Sequence, residues 1–113
     1  MFKDDEIRLR HILDAAHEAF QFVEGLSRED LNTDRKLNLS LVRLLEIIGE
    51  AARGTSTGFQ RKHSDLPWKS MAGMRNRLIH GYFDVNLDVV WETVKNDLPP
   101  MIDKIEKILA DKA

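Results

Sequence analysis

The sequence contains no cysteine, three prolines and one tyrosine. The absence of cysteine excludes disulfide frameworks, zinc–thiolate sites and cysteine nucleophiles. No segment approaches the roughly 20 apolar residues that cross a bilayer, and the first six residues lack the basic region and apolar run of a secretion signal. There is also no Walker loop, dinucleotide glycine fingerprint or HExxH motif. We therefore expect a cytoplasmic protein with no membrane part, no cofactor and no metal site.

A length of 113 residues corresponds to a single domain, spanning residues 1–113. Apolar residues recur at three- and four-residue steps along the whole chain, and no strand-like alternation, repeat or low-complexity segment is evident. This periodicity predicts an all-α fold, an up-and-down antiparallel bundle of four to five helices.

Capping residues predict where the first two helices begin and end. Asp4 or Asp5 can cap the first helix, and Gly25 marks its end. Asn32 or Thr33 can cap the second helix after a polar connection. Both boundaries are therefore expected from local sequence alone.

Proline and glycine predict the boundaries in the second half of the chain. We expect a loop over residues 54–64 and a third helix over about Trp68–Ile79, with Gly81 as its C-terminal stop. Pro99-Pro100 is expected to end or kink a fourth helix, and a last helix is expected over Met101–Leu109.

The second helix has an unusually wide apolar surface. Leu39, Val42 and Ile47 lie outside its main apolar stripe. So wide a surface exceeds what one core needs, which favours contact with a second subunit or another partner. The alternative is a helix that is buried at the centre of its own bundle.

The charges are distributed in blocks although the net charge is only −2. Residues 1–34 hold 4 Lys/Arg and 9 Asp/Glu, residues 35–80 hold 9 and 3, and residues 81–113 hold 4 and 7. A basic middle between acidic ends suggests a positive face for a polyanion, although such a block can also be a solvated surface. Arg61, Lys62 and His63 are the candidate RNA-binding residues in the loop of this basic region.

The segment from Arg75 to Tyr82 contains the candidate catalytic residues. A guanidinium holds a phosphate by charge and forked hydrogen bonds, so Arg75 and Arg77 are candidate phosphate contacts. The imidazole of His80 titrates near physiological pH and can move a proton while that phosphate is held. Such a pair could cleave RNA without a metal ion.

In the expected helix, His80 would lie in the frayed last turn, where the dipole favours imidazolium. Arg75 could swing back toward it, and Asn76, four residues earlier, could fix its tautomer. The spacing alone also fits an ordinary surface arginine and a capping histidine.

The run from Pro67 to Phe83, together with 88–91, 97–99 and the Ile48–Ala52 segment of the second helix, resembles the HEPN superfamily, and specifically its HepT-like proteins. The similarity covers essentially the whole chain. Its most specific element is the Arg-x4-His-x-Tyr motif, which Arg75, His80 and Tyr82 match position for position.

This resemblance implies a dimeric, metal-independent endoribonuclease toxin, in which Arg75 and His80 are catalytic. From their positions beside this pair, Asn76 and Arg77 are expected to support it. It implies a type VII-like toxin–antitoxin pair, in which a MntA-like nucleotidyltransferase antitoxin transfers AMP from ATP to Tyr82. HEPN-like domains also accompany nucleotidyltransferases as non-catalytic helical subunits that help to position a substrate. That role is the alternative function.

Overall fold

The computed structural model describes residues 1–80 and 84–111, with His80 described by its backbone. The helices in this part of the chain are α1 (Lys3–Phe22), α2 (Arg35–Gly54), α3 (Thr57–Lys62), α4 (Trp68–Ala72), α5 (Met74–Leu78), α6 (Leu87–Glu92) and α7 (Leu98–Ala110). A 3₁₀ turn covers Arg28–Asn32, and a π-helical turn, Thr93–Asp97, joins α6 to α7. Two short strands, β1 (Ile79–His80) and β2 (Asp84–Val85), complete the described fold. None of these helices is long and apolar enough to span a membrane.

The expected all-α, HEPN-type bundle is confirmed. Helix α2 is at its centre, because it packs against α1, α4, α5, α6 and the 3₁₀ turn. Helix α1 also packs against α7, so the three longest helices share one continuous apolar core. The short helices α4 and α5 are held on the side of α2.

The predicted caps of the first two helices are wrong. Neither Asp4 nor Asp5 caps α1, because both lie within its first turn. Helix α2 is capped by Asp34, whose carboxylate accepts a hydrogen bond from the Leu37 N–H at 3.0 Å. Gly25 lies beyond the end of α1 in a turn, with a φ of 75° that glycine tolerates at little cost.

The expected loop over residues 54–64 contains helix α3. Ser56 caps it by accepting a hydrogen bond from the Phe59 N–H. The buried carboxylate of Asp5 in turn accepts hydrogen bonds from the Ser56 N–H at 2.8 Å and the Ser56 hydroxyl at 2.7 Å. A partner 51 positions away in sequence therefore fixes the start of α3, and local sequence could not indicate that contact.

The expected third helix is divided and ends early. Gly73 separates α4 from α5, and α5 ends at Leu78, so Ile79 and His80 are extended rather than helical. They pair antiparallel with β2, with Ile79 opposite Val85 and His80 opposite Asp84, which corrects the expectation that the chain has no strand. The predicted helix stop, Gly81, lies outside the described residues.

The helix before Pro99-Pro100 ends earlier than these prolines, at Glu92, where the α-helical pattern changes to the π-helical turn. The last helix begins at Leu98 and not at Met101, so both prolines lie in its first turn, where a missing N–H is tolerated. The π-helical turn connects it to α6 without a gap. The Thr93 hydroxyl donates to the Val89 carbonyl oxygen at 2.7 Å at the start of that turn.

Most of the wide apolar surface of α2 is covered within the chain. Val42 is buried and Ile47 is half-buried, as the alternative of a central helix requires. Leu39, however, is 55% exposed. The apolar surface left for a partner on α2 is therefore smaller than the sequence suggests.

Gly49 is the point of closest approach between α2 and α4. A Cβ atom at position 49 would lie 2.9 Å from the Met71 carbonyl oxygen and 3.5 Å from the Met74 Cβ. Real Cβ atoms almost never come so close to a backbone oxygen, so any other residue would push α4 away. Glycine at this position thus sets the separation of the two helices.

We predict that Gly49→Ala lowers the free energy of unfolding by about 1–3 kcal/mol, because the added methyl group overpacks the contact between α2 and α4. Gly58→Ala is the matched control, since Gly58 in α3 has no atom within 4 Å of an added Cβ. That change should stabilise the protein by about 0.4–1 kcal/mol. Urea denaturation of both variants measures the difference, and equal effects would contradict the role of Gly49.

Candidate active site

Arg75 extends from α5 toward α2. Its Nε atom lies 3.4 Å from Oε2 of Glu46, and the arginine side chain is 65% exposed. Glu46 is more covered, at 24% exposure. The guanidinium is therefore available to a ligand while a carboxylate on a neighbouring helix holds it in place.

Arg77 leaves α5 on the other side. Its Nη2 atom lies 3.9 Å from Oδ2 of Asp97 in the π-helical turn. Two residues along a helix correspond to a rotation of about 200°, which accounts for the divergence of the two arginines. The structure thus places Arg75 and Arg77 on two neighbouring surfaces and not at one phosphate.

His80 lies in β1 and not in the last turn of a helix. Its backbone is opposite Asp84 in the short hairpin, which the Asn86 N–H closes by donating to the Leu78 carbonyl oxygen at 2.7 Å. The Asn86 side chain also accepts from the Val89 N–H and caps α6. The hairpin, fixed at both ends by helices, therefore positions the backbone of His80.

Because its backbone is extended, His80 meets neither of two expectations: it is not in the last turn of a helix, and it is not on the helical face of Asn76. The helix dipole acts within the last turn, which ends at Leu78. Asn76 is exposed on α5 and no longer shares a helical face with His80. Tyr82 lies outside the described residues.

The candidate RNA-binding residues Arg61, Lys62 and His63 lie at the end of α3. Arg61 and Lys62 are exposed in its last turn. The His63 ring instead packs 4.4 Å from the ring of Phe59, and its carbonyl oxygen accepts a hydrogen bond from Trp68 Nε1 at 2.9 Å. His63 therefore contributes to the packing between α3 and α4, and its two neighbours are free to contact solvent ions.

Glu46 and Arg53 on α2 are the residues near the motif that sequence reasoning missed. Arg53 donates from Nη2 to the Ala72 carbonyl oxygen at 2.8 Å and so secures the end of α4. The sequence could have drawn attention to Glu46, because it is one of only three acidic residues in residues 35–80, which hold nine basic residues. Across the part of the chain that is described, no group of three His, Cys, Asp or Glu residues could hold a metal ion.

Comparison with known proteins identifies the family. The family model described as HepT-like (Ribonuclease HepT-like) matches residues 12–108. A protein named "Putative RNase" from Caldanaerobacter subterraneus subsp. tengcongensis is 44% identical over 101 residues, which cover 89% of this chain and 90% of that protein.

A "Probable ribonuclease HepT" from Thermococcus cleftensis is 43% identical over 95 residues, covering 80% of this chain and 86% of the relative. A "Putative RNase" from Methanocaldococcus jannaschii is 35% identical over 109 residues, which cover 96% of this chain and 90% of that protein. No solved structure matches significantly. The extent of these matches shows that this chain belongs to the HepT-like ribonuclease family.

Proposed function

We propose that the protein is a metal-independent RNA endonuclease whose catalytic residues are Arg75 and His80. The observation that carries this proposal is the exposed Arg75 guanidinium on α5, which is followed directly by a hairpin that fixes the backbone of His80. In this proposal, Arg75 on α5 holds the phosphate and His80 on the adjoining strand transfers protons. The names of the relatives support RNA as the substrate.

In the proposed reaction, the ribose 2′-oxygen attacks the adjacent phosphorus atom and the bond to the 5′-oxygen breaks. The proton of the 2′-hydroxyl is removed and a proton is supplied to the leaving oxygen, and the His80 imidazole assists this transfer. Arg75 offsets the negative charge that grows on the non-bridging phosphate oxygens. The products are a 2′,3′-cyclic phosphate and a 5′-hydroxyl end.

The ion pair with Glu46 is compatible with this role of Arg75. An ion pair with so exposed an arginine contributes only about 0–1 kcal/mol. A phosphate that forms two parallel hydrogen bonds to the guanidinium can replace it. Glu46 therefore orients Arg75 when no RNA is bound and does not prevent a phosphate from binding to the guanidinium.

We predict that the purified protein cleaves RNA in excess EDTA. His80→Ala should slow cleavage by about 10²–10⁴-fold through loss of proton transfer, and Arg75→Ala by about 10²–10³-fold through loss of charge stabilisation. Initial rates on a labelled oligoribonucleotide measure both. Arg10→Ala is the matched control, since Arg10 is also exposed and paired with a glutamate, Glu6.

Cleavage that is equal in the wild type and the two motif variants would indicate a contaminating nuclease. A folded protein that never cleaves RNA would favour the alternative function, a non-catalytic subunit that helps a nucleotidyltransferase to position its substrate. Thermal melting monitored by circular dichroism establishes that the variants are folded.

The proposed enzyme is a homodimer that uses the outer face of α2. Leu39, Arg43, Glu46 and Glu50 are spaced by four, three and four residues, so they form one stripe along that helix. The stripe begins at the exposed Leu39, and Glu46 within it contacts Arg75. A subunit interface on this stripe would therefore bring a second chain next to the motif, as a shared cleft requires.

We predict that light scattering at micromolar concentration gives a mass twice the 13.0 kDa of the chain. Leu39→Glu should shift the protein to monomer, because it places a charge in the apolar part of the interface. Leu26→Glu is the control, since Leu26 is also exposed but lies outside α2. A wild-type monomer, or dissociation of both variants alike, would contradict the interface on α2.

The proposed partner is a MntA-like nucleotidyltransferase antitoxin that attaches AMP to Tyr82. Tyr82 lies two residues after His80, so the added phosphate and nucleoside would occupy space beside the catalytic pair. We predict that incubation with the partner enzyme and ATP adds one AMP to the wild type and none to Tyr82→Phe, as read by intact mass spectrometry. Quantitative modification that leaves RNA cleavage unchanged would contradict this control mechanism.

A further inference from the structure

A cleft of about 350 Å³ separates α4 and α5 from the π-helical turn and α7. Three buried methionines, Met71, Met74 and Met101, contribute to its lining. Its volume is in the lower part of the range of about 300–1,000 Å³ that is typical of small-molecule sites. The methionine floor suits a flat apolar or aromatic group, because thioethers are polarizable and adapt to the shape of a ring.

The rim of the cleft carries charge. Arg77 and Lys104 are cationic and Asp97 is anionic, so the charged residues of the lining sum to +1. The ammonium of Lys104 donates to the Asp65 carbonyl oxygen at 2.8 Å, which uses one of its three donors. The contact of Arg77 with Asp97, at 3.9 Å between two half-exposed side chains, is weak and can be replaced. A single phosphate diester matches this charge.

The cleft adjoins the proposed catalytic site through α5. Arg75 and Arg77 leave this helix on opposite sides, and Arg77 lines the cleft. A helix with its side chains is about 10–12 Å wide, a span that a few nucleotides of single-stranded RNA can cross. One RNA strand can therefore contact Arg75 on one side of α5 and Arg77 on the other.

We infer that the cleft is a nucleotide subsite for the RNA substrate, an inference that rests on the proposed nuclease function. The phosphate of a nucleotide flanking the scissile bond is held by Arg77 and Lys104, and its base lies on the methionine floor. Ser70 and Asn96 at the rim offer a hydroxyl and an amide for the polar edge of the base. A bare phosphate would use the cations but would leave the apolar floor empty, which favours a nucleotide over an inorganic anion.

The test measures the binding of a fluorescein-labelled, ten-nucleotide RNA whose 2′-hydroxyls are methylated, so that the nucleophile for cleavage is absent. Ser70→Phe fills the cleft without changing its charge, and Ser64→Phe is its control, an exposed serine outside the cleft. Lys104→Gln removes a cation of the rim, and Lys107→Gln removes an exposed cation of the same helix that does not line the cleft.

Fluorescence anisotropy should show that Ser70→Phe and Lys104→Gln each weaken binding by about tenfold, the loss of one good polar or stacking contact. The two controls should change it by less than about twofold. The slope of log affinity against log salt should decrease by about 0.7 for Lys104→Gln, as for one lost phosphate contact on a single strand. The slope should not change for Ser70→Phe.

Equal losses in Lys104→Gln and Lys107→Gln would mean that the RNA responds to overall charge, and would overturn the subsite. Unchanged affinity in Ser70→Phe would overturn it as well. Adenosine 5′-monophosphate, titrated alone, distinguishes a free nucleotide from a segment of RNA. If it binds the wild type but not Ser70→Phe while the oligonucleotide binds both equally, the cleft is not an RNA subsite.

A cleavage assay of the same proteins on unmodified RNA separates this inference from the proposed function. Cleavage by the wild type, together with RNA binding that is indifferent to all cleft variants, rejects the subsite and leaves the nuclease in place. RNA binding that depends on the cleft, without any cleavage in the wild type, rejects the nuclease and leaves an RNA-binding cleft. Ser70→Phe should raise the KM for RNA cleavage, because it fills the cleft in which the flanking nucleotide binds.

Discussion

The close contact between Gly49 of α2 and the Met71 carbonyl oxygen of α4 determines where the candidate catalytic residues lie. Only glycine permits this approach, and it holds α4 against the central helix. Arg53 strengthens the same contact by donating to the Ala72 carbonyl oxygen. Helix α5 follows directly after Gly73, so its placement, and with it the contact between Arg75 and Glu46, depends on how α4 is seated.

The short helix α5 divides the site into two surfaces. Arg75 faces α2 and its exposed stripe, while Arg77 faces the π-helical turn and the methionine-lined cleft. Two cations of the basic middle, Arg75 and Arg77, therefore lie on opposite sides of one helix and do not share one surface. A polyanion that crosses α5 would meet Arg75 and Arg77 in succession.

Local sequence predicted much of the fold but not all of its boundaries. The all-α class follows from apolar periodicity, which depends only on the helical repeat. The central position of α2 was only the alternative to a partner-binding surface, and the packing of the other helices around α2 decides for it. Asp4 and Asp5 did not cap α1, because both lie within its first turn, and Asp5 instead accepts hydrogen bonds from Ser56, which is distant in sequence. Pro99-Pro100 lie in the first turn of α7 and not at the end of the preceding helix, because the α-helical pattern already changes to a π-helical turn at Thr93–Asp97. Apolar periodicity and capping preferences describe only neighbouring residues, so they cannot predict contacts between distant residues or irregular turns.

The sequence by itself determined which chemical groups are available. It places Arg75, Arg77 and His80 within six residues, inside a basic block, in a chain of the HepT-like family. Only the tertiary structure decided how these groups are arranged. It ended α5 at Leu78 and placed the His80 backbone in a hairpin, because pairing with Asp84 replaces the next turn of helix. It also separated the two arginines and gave each a carboxylate from a different element, since partners such as Glu46 and Asp97 come together only when distant segments pack around α5.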